Sequence, residues 1–228
     1  MNPEYMARNI ENSIDERRRA KRFFNRVGLA FHVIDRRLGP EYRRALEVLS
    51  LPKEATVLDI GTGTGTLAAA FVERGHQVTG IDFAERLLER ARRRVPSGDF
   101  RLMDLVEVEA MPAGSFDIVC LAYVLHGLSP ELRSTTLHHA ARLTRNGLLI
   151  FDYSCLGPWY VRLIEWIEGP YYRGFLARSM AEHLSAHQLT IEQSGETSSV
   201  GGWWWGKGKK EGEQGRGREG EKGGKDEG

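Results

Sequence analysis

Val57-Leu58-Asp59-Ile60-Gly61-Thr62-Gly63-Thr64-Gly65 is the stretch on which the fold of this chain turns. β-favouring apolar residues surround one acid, and three alternating glycines follow at once. An apolar run that ends in glycines reads as a buried parallel strand breaking into a tight turn. From Thr64 to Arg74, Leu67, Ala68, Phe71 and Val72 share one face, so a helix follows the turn. A strand, a Gly-rich turn and a helix make a nucleotide-cofactor site, because backbone without side chains lets a ligand approach a helix N-terminus. The alternative is a plain strand–turn–helix with no ligand.

The spacing discriminates between nucleotides. G-x-G-x-x-G would need its third glycine at Thr66, but Gly65 comes one residue early. No Lys follows the glycines, which excludes a P-loop. Asp59 would repel a pyrophosphate and attract a ligand carrying an ammonium and a sulfonium. S-adenosylmethionine (SAM) therefore fits better than NAD or ATP. Gln77 to Ile81 reads as the second strand, and Asp82 stands 17 residues after Gly65. An acid there is placed to take ribose hydroxyls. Asp82-Phe83-Ala84-Glu85 also has the form of a capping box opening a helix over Glu85 to Arg94.

With VLDIGTGTG, GID at Gly80 to Asp82, RLMDL at Arg101 to Leu105, FDIVCLAYVLHGL at Phe116 to Leu128 and RLTRNGLLIFDY at Arg142 to Tyr153, the chain resembles the class I SAM-dependent methyltransferases over about Leu51 to Ser194. The resemblance implies SAM as cofactor. It also implies that Asp59 and Gly61 line the methionine side of SAM and Asp82 the ribose, with Thr62, Gly63 and Gly65 among the cofactor-binding residues of the turn. Phe83 would pack near the adenine, and Asp104 with Leu105 would reach its amino edge; Ala122 is a further cofactor-binding candidate because it falls, like Gly61, Asp82 and Asp104, at the carboxyl end of a strand. Two departures exist: Ala84 where the family often has Ser, and Arg145-Asn146-Gly147 where it often has Pro-Gly-Gly. The segment Phe23 to Gly39 followed by the turn also resembles the quinone-biosynthesis methyltransferases, which implies a small apolar acceptor.

The alternation from Thr56 onward predicts a Rossmann-like, doubly wound α/β fold, mostly parallel, with helices on both faces. Strands are expected at Thr56 to Ile60, Gln77 to Ile81, Asp99 to Met103, Phe116 to Leu121 and Leu148 to Asp152. Ser129, Pro130 and Gly147 mark a helix over Glu131 to Thr144. Ligands in such a sheet sit at the carboxyl ends of the strands.

Residues 1–50 carry 11 Arg and Lys against 7 Asp and Glu, with apolar residues at helical spacing. They read as a helical cap, interrupted at Gly39-Pro40, that either packs on the sheet or forms a substrate lid. Residues 51–205 form the SAM-binding domain. Residues 206–228 contain nine Gly, seven basic and six acidic residues and no apolar side chain, and are expected to be disordered. Trp203-Trp204-Trp205 stands where this fold expects its last strand. The codons implied from about Gly201 are rich in G and A, which suggests an out-of-frame C-terminus.

A net charge of +1 argues against a stable nucleic-acid partner. Cys120, inside an apolar run, and Cys155 lack metal-ligand spacing, so no metal site and a reducing, cytoplasmic location are expected. No apolar run is long enough to span a bilayer. Phe151 to Phe175 holds 8 aromatics in 25 residues, which read equally as core or as an apolar wall for a small-molecule acceptor. Tyr123 and His126 follow the fourth strand and are the candidates for chemistry. His126 reads either as a base or as a loop histidine. His138, His139, His183 and His187 are expected at the surface. The competing readings are an RNA or protein methyltransferase and a SAM-binding module without catalysis. Against the former, Ala122-Tyr123-Val124-Leu125 replaces the Asn/Asp-Pro-Pro-aromatic tetrapeptide of many amino-group methylating enzymes.

Overall fold

The computed structural model describes residues 31–159, 161–162, 170–197 and 200–208. Strands β1 (Thr56–Ile60), β2 (Gln77–Asp82), β3 (Asp99–Leu102), β4 (Phe116–Ala122), β5 (Thr144–Tyr153), β6 (Leu189–Glu196) and β7 (Gly201–Gly208) form one sheet in the order β3-β2-β1-β4-β5-β7-β6. β1 to β5 are parallel, whereas β7 runs antiparallel to both β5 and β6. Strand order reverses between β1 and β4, so the crevice above their carboxyl ends is the switch point at which such sheets take ligands.

Helices α1 (Phe31–Val48), α2 (Thr66–Val72) and α3 (Glu85–Arg94) lie with one core cluster that includes Leu46, Val57, Phe71, Leu88 and Phe151. Helices α4 (Pro130–Leu143), α5 (Tyr172–Leu176) and α6 (Met180–Ser185) lie with a second, built on Leu58, Ile81, Leu121, Leu137 and Ile150. Val57 faces the first cluster and Leu58 the second, the period-2 alternation of a strand covered on both sides.

Four expectations are corrected. First, α1 continues through Gly39-Pro40. A mid-helix proline loses a hydrogen bond, but the face of Tyr42, Ala45 and Leu46 is buried against the sheet. Gly39 also serves a close approach, since a Cβ there would lie 3.2 Å from the Arg43 guanidinium and 3.6 Å from Thr66.

Second, Gly147 ends no helix. α4 stops at Leu143, and Gly147 lies inside β5, where a Cβ would sit 2.4 Å from the Trp205 ring. Third, β7 extends through Gly208, so residues 206–208 belong to the sheet. Trp203 and Trp205 are buried against β5 in an inner strand. Residues 209–228 and the apolar spacing of residues 1–30 lie outside the described residues.

Fourth, His139 and His183 are buried, while His138 is exposed and His187 half-buried. His139 shares the inward face of α4 with Thr136, Ala140 and Leu143, and His183 stacks on Phe175 at 5.2 Å. Phe151, Tyr172 and Phe175 are likewise core residues, whereas Trp159 is exposed. The aromatic-rich segment thus divides between core and surface, with Tyr160 and Trp166 outside the described residues.

Candidate cofactor and acceptor site

Gly61, Gly63 and Gly65 all take positive φ (72°, 54° and 74°), which L side chains rarely adopt. The turn they make is tied to β2: the Gly61 and Thr62 amides both donate to the Ile81 carbonyl, at 2.9 and 3.0 Å. Asp59 lies fully buried beneath it. One Asp59 oxygen accepts from the Thr62 hydroxyl at 2.7 Å, and the other faces the Cys120 thiol at 3.5 Å. Burial raises the Asp59 carboxyl to about 6, against the opposing Thr62 and Cys120 hydrogen bonds and with a further push from Asp82. The carboxyl is enclosed by chain groups and holds Thr62 in the turn.

Asp82 ends β2 beside the turn. Its two oxygens accept from the Gly63 amide at 2.9 Å and the Ala84 amide at 2.8 Å. The capping-box reading is overturned: Ala84 is the N-cap of α3, without a side-chain cap, because Asp82 is still the last residue of the strand. Burial raises Asp82 to about 6, opposed by the backbone amides of Ala84, Gly63 and Phe83. A carboxylate offers about four lone-pair positions, so three amides leave room for hydroxyl donors.

Asp59 and Asp82 share a sign. A carboxyl raised in the folded chain adds stability below the unfolded value of about 4, and that contribution is lost as pH rises through about 6.

Asp104 caps the short 3₁₀ turn Leu105–Ala110 reciprocally with Glu107, whose carboxylate accepts from the Asp104 amide at 2.6 Å. The Met103 amide donates to the Asp82 carbonyl at 3.0 Å, which brings this turn next to Asp82 and Phe83. A Cβ at Gly63 would have nothing nearer than the Gly61 carbonyl at 4.0 Å. The turn is therefore open above Gly63, with an acid on one flank. These groups suit a nucleoside cofactor with ribose hydroxyls to donate and a positive charge near the acid.

The sequence left unmarked a clamp that holds the turn from outside. One Asp35 oxygen of α1 accepts from the Thr64 and Thr66 hydroxyls at 2.7 and 2.8 Å, and the other from Arg94 at 2.8 Å. Arg94 also donates to the Thr64 carbonyl at 2.8 Å.

Tyr123 follows β4 with φ 55°, a strained value for a bulky residue. Burial raises its phenol to about 12. A Cβ at Gly201 would lie 2.4 Å from that hydroxyl, so β7 must start with glycine for the ring to fit. Val124 covers Gly61, and Ala122 is partly buried at the strand end. His126 lies in the 3₁₀ turn Leu125–Gly127, 4% exposed, with its Nδ1 2.7 Å from Asp152 Oδ1. Asp152, at the end of β5, was not singled out from sequence. Its signal was a lone acid closing the apolar run Leu148 to Phe151.

The methyltransferase-domain family model matches residues 57–147. A demethylmenaquinone methyltransferase of Beutenbergia cavernae is 30% identical over 66% of this chain and 63% of its own length. A ubiquinone biosynthesis O-methyltransferase of Idiomarina loihiensis is 40% identical over 33% of each chain. This chain thus spans less than two thirds of either relative. Magnesium protoporphyrin IX methyltransferase from Synechocystis PCC 6803, solved with bound SAH, shares the fold at TM-score 0.57 and 18% identity, covering 87% of this chain and 95% of its own. Residues 57–147 thus carry a methyltransferase domain, and the sheet order with the glycine turn between β1 and α2 belongs to a fold shared with SAM-dependent methyltransferases.

Proposed function

We propose that this chain transfers a methyl group from SAM to a small apolar or aromatic acceptor. The observation that carries the reading is the left-handed glycine turn, open above Gly63 and flanked by Asp82 at the switch point of the sheet. Asp82 would accept from the ribose hydroxyls, Phe83 and Leu105 would flank the adenine with Asp104 at its amino edge, and Gly61 to Gly65 would give the remainder of the cofactor a backbone surface. SAM supplies an activated methyl on a good leaving group. The chain's task is alignment and exclusion of water, and alignment is worth about 7–11 kcal/mol in such reactions. The names of the relatives, quinone-pathway enzymes, support a small acceptor.

Isothermal calorimetry with SAM, SAH and NAD tests the cofactor, and labelled methyl transfer into a low-mass metabolite extract tests the activity. NAD binding without SAM binding overturns the reading. Asp82→Ala should weaken SAH binding by about 1–3 kcal/mol, the worth of hydrogen bonds to a charged acceptor. Affinity equal to the unaltered chain would remove Asp82 from the ribose site.

A pH series gives an independent check. Ribose hydroxyls prefer the ionised carboxylate, and Asp82 titrates near 6 in the ligand-free chain. SAH affinity should therefore be flat above about pH 7 and fall as pH drops below about 6. In Asp82→Ala the fall should be shallower.

A further inference from the structure

We propose that the cavity between the exit of β5 and helix α5 binds a small apolar carboxylic acid, with Arg173 pairing the carboxylate. The inference goes beyond the methyltransferase reading and stands apart from it, because the cavity shares no residue with the glycine turn or with Asp82.

The cavity has a volume of about 280 Å³. Ser154, Cys155 and Leu156 line it from one segment, and Arg173, Leu176 and Ala177 from another. Pockets for drug-sized ligands span about 300–1,000 Å³, so the space suits a ligand built on a single ring. Ser154 directly follows β5, whose carboxyl end lies at the edge where such sheets take ligands.

The lining is braced from two directions. The buried Tyr172 hydroxyl accepts from the Gly157 amide at 2.9 Å and donates to the Cys155 carbonyl at 3.3 Å. The Val200 carbonyl accepts from the Ser154 and Cys155 amides at 2.9 and 3.4 Å. Arg173 is the next residue after Tyr172, so the same side chain ties the two segments of the lining together. Walls held in this way spare a ligand the cost of ordering them.

Charge sets the ligand class. Of the six lining residues Arg173 alone is charged, and among the described residues no acid pairs with it. A second cavity, of about 240 Å³, lies between α1 and the last two strands, and there Arg44 shares the lining with Glu41 and Glu196. That lining supplies its own acids, whereas the one holding Arg173 supplies none. The Ser154 hydroxyl already donates to the Val200 carbonyl at 3.3 Å, which leaves the guanidinium as the donor for an anion. Its planar fork matches a carboxylate. A single cation neutralises a monoanion and leaves a phosphate dianion half paired. The remaining lining is apolar at Leu156, Leu176 and Ala177. Leu156 is 51% exposed, so a ring seated on it removes apolar surface from water.

Calorimetry on the full chain tests the site, with benzoate, benzamide and phenyl phosphate as probes. Benzoate is expected to bind at millimolar concentration and more tightly than either of the others. Arg173→Gln should weaken benzoate by about tenfold or more, the low end of what hydrogen bonds to a charged group contribute. Arg173→Lys keeps the charge without the fork and should retain part of the affinity. Arg173 is exposed, so both variants should melt with the unaltered chain. In amide NMR spectra benzoate should shift Ser154 to Leu156 and Arg173 to Ala177.

No binding of benzoate, equal binding of benzamide, tighter binding of phenyl phosphate, an affinity unmoved by Arg173→Gln, or shifts confined to residues outside the cavity would each overturn the proposal. Neither SAM nor turnover enters these measurements, so a chain that transfers no methyl group would lose the methyltransferase reading and keep this site.

Discussion

Trp205→Ala should destabilise the fold by about 3–5 kcal/mol, the usual cost of truncating a buried Trp. Trp205 is 4% exposed and pairs with Leu149 on β5 and Gln193 on β6. Its indole occupies the space that Gly147 leaves by lacking a side chain. Gly147, on the neighbouring strand, has no side chain with which to refill the space. Chemical denaturation checks the value, and a loss below about 1 kcal/mol would mean that β7 contributes little to the sheet. The same geometry predicts that a chain stopped after Val200 does not fold, since β6 would then have no strand between it and β5.

Gly61→Ala should abolish measurable SAH binding at micromolar ligand and cost roughly 2–5 kcal/mol of stability. Two effects add. A residue with a Cβ at φ 72° costs about 1–2 kcal/mol. The new methyl would also lie 2.6 Å from Val124 Cγ2, and overpacking of this kind costs about 1–3 kcal/mol. Val124 is β-branched and has little rotamer freedom with which to yield, so the turn moves instead. Its displacement would pull the Gly61 and Thr62 amides from Ile81 and disturb Thr62 over Asp59. Calorimetry and thermal melts separate the two effects. Gly63→Ala is the comparison: its Cβ meets no side chain, so it carries the backbone strain without the clash.

The glycine turn, the parallel sheet and the acid at the end of β2 were legible because each is a local pattern. Apolar runs that end in glycine mark strands entering turns, and an acid at a strand end has few structural uses. The competing capping-box reading of Asp82 failed for a reason that no window of sequence carries. β2 runs one residue further than its apolar pattern, and the carboxylate turns towards Gly63, 19 residues earlier. Gly147 is a similar case. Its sequence neighbourhood resembles a helix stop, yet its smallness answers to an indole 58 residues later.

What the sequence determined by itself is the fold class and the place of the glycine turn, both set by hydrophobic period and by glycine's access to positive φ. Tertiary structure alone decided which polar side chains meet. Asp35 joins Thr64 across 29 residues and Asp152 joins His126 across 26. Hydrogen bonds of this range have no period to read. Asp152 meets His126 because parallel strands bring their carboxyl ends to one edge of the sheet, and a buried carboxylate there must find donors from whichever loops arrive, whereas Asp35 reaches Thr64 from α1, which packs beside α2.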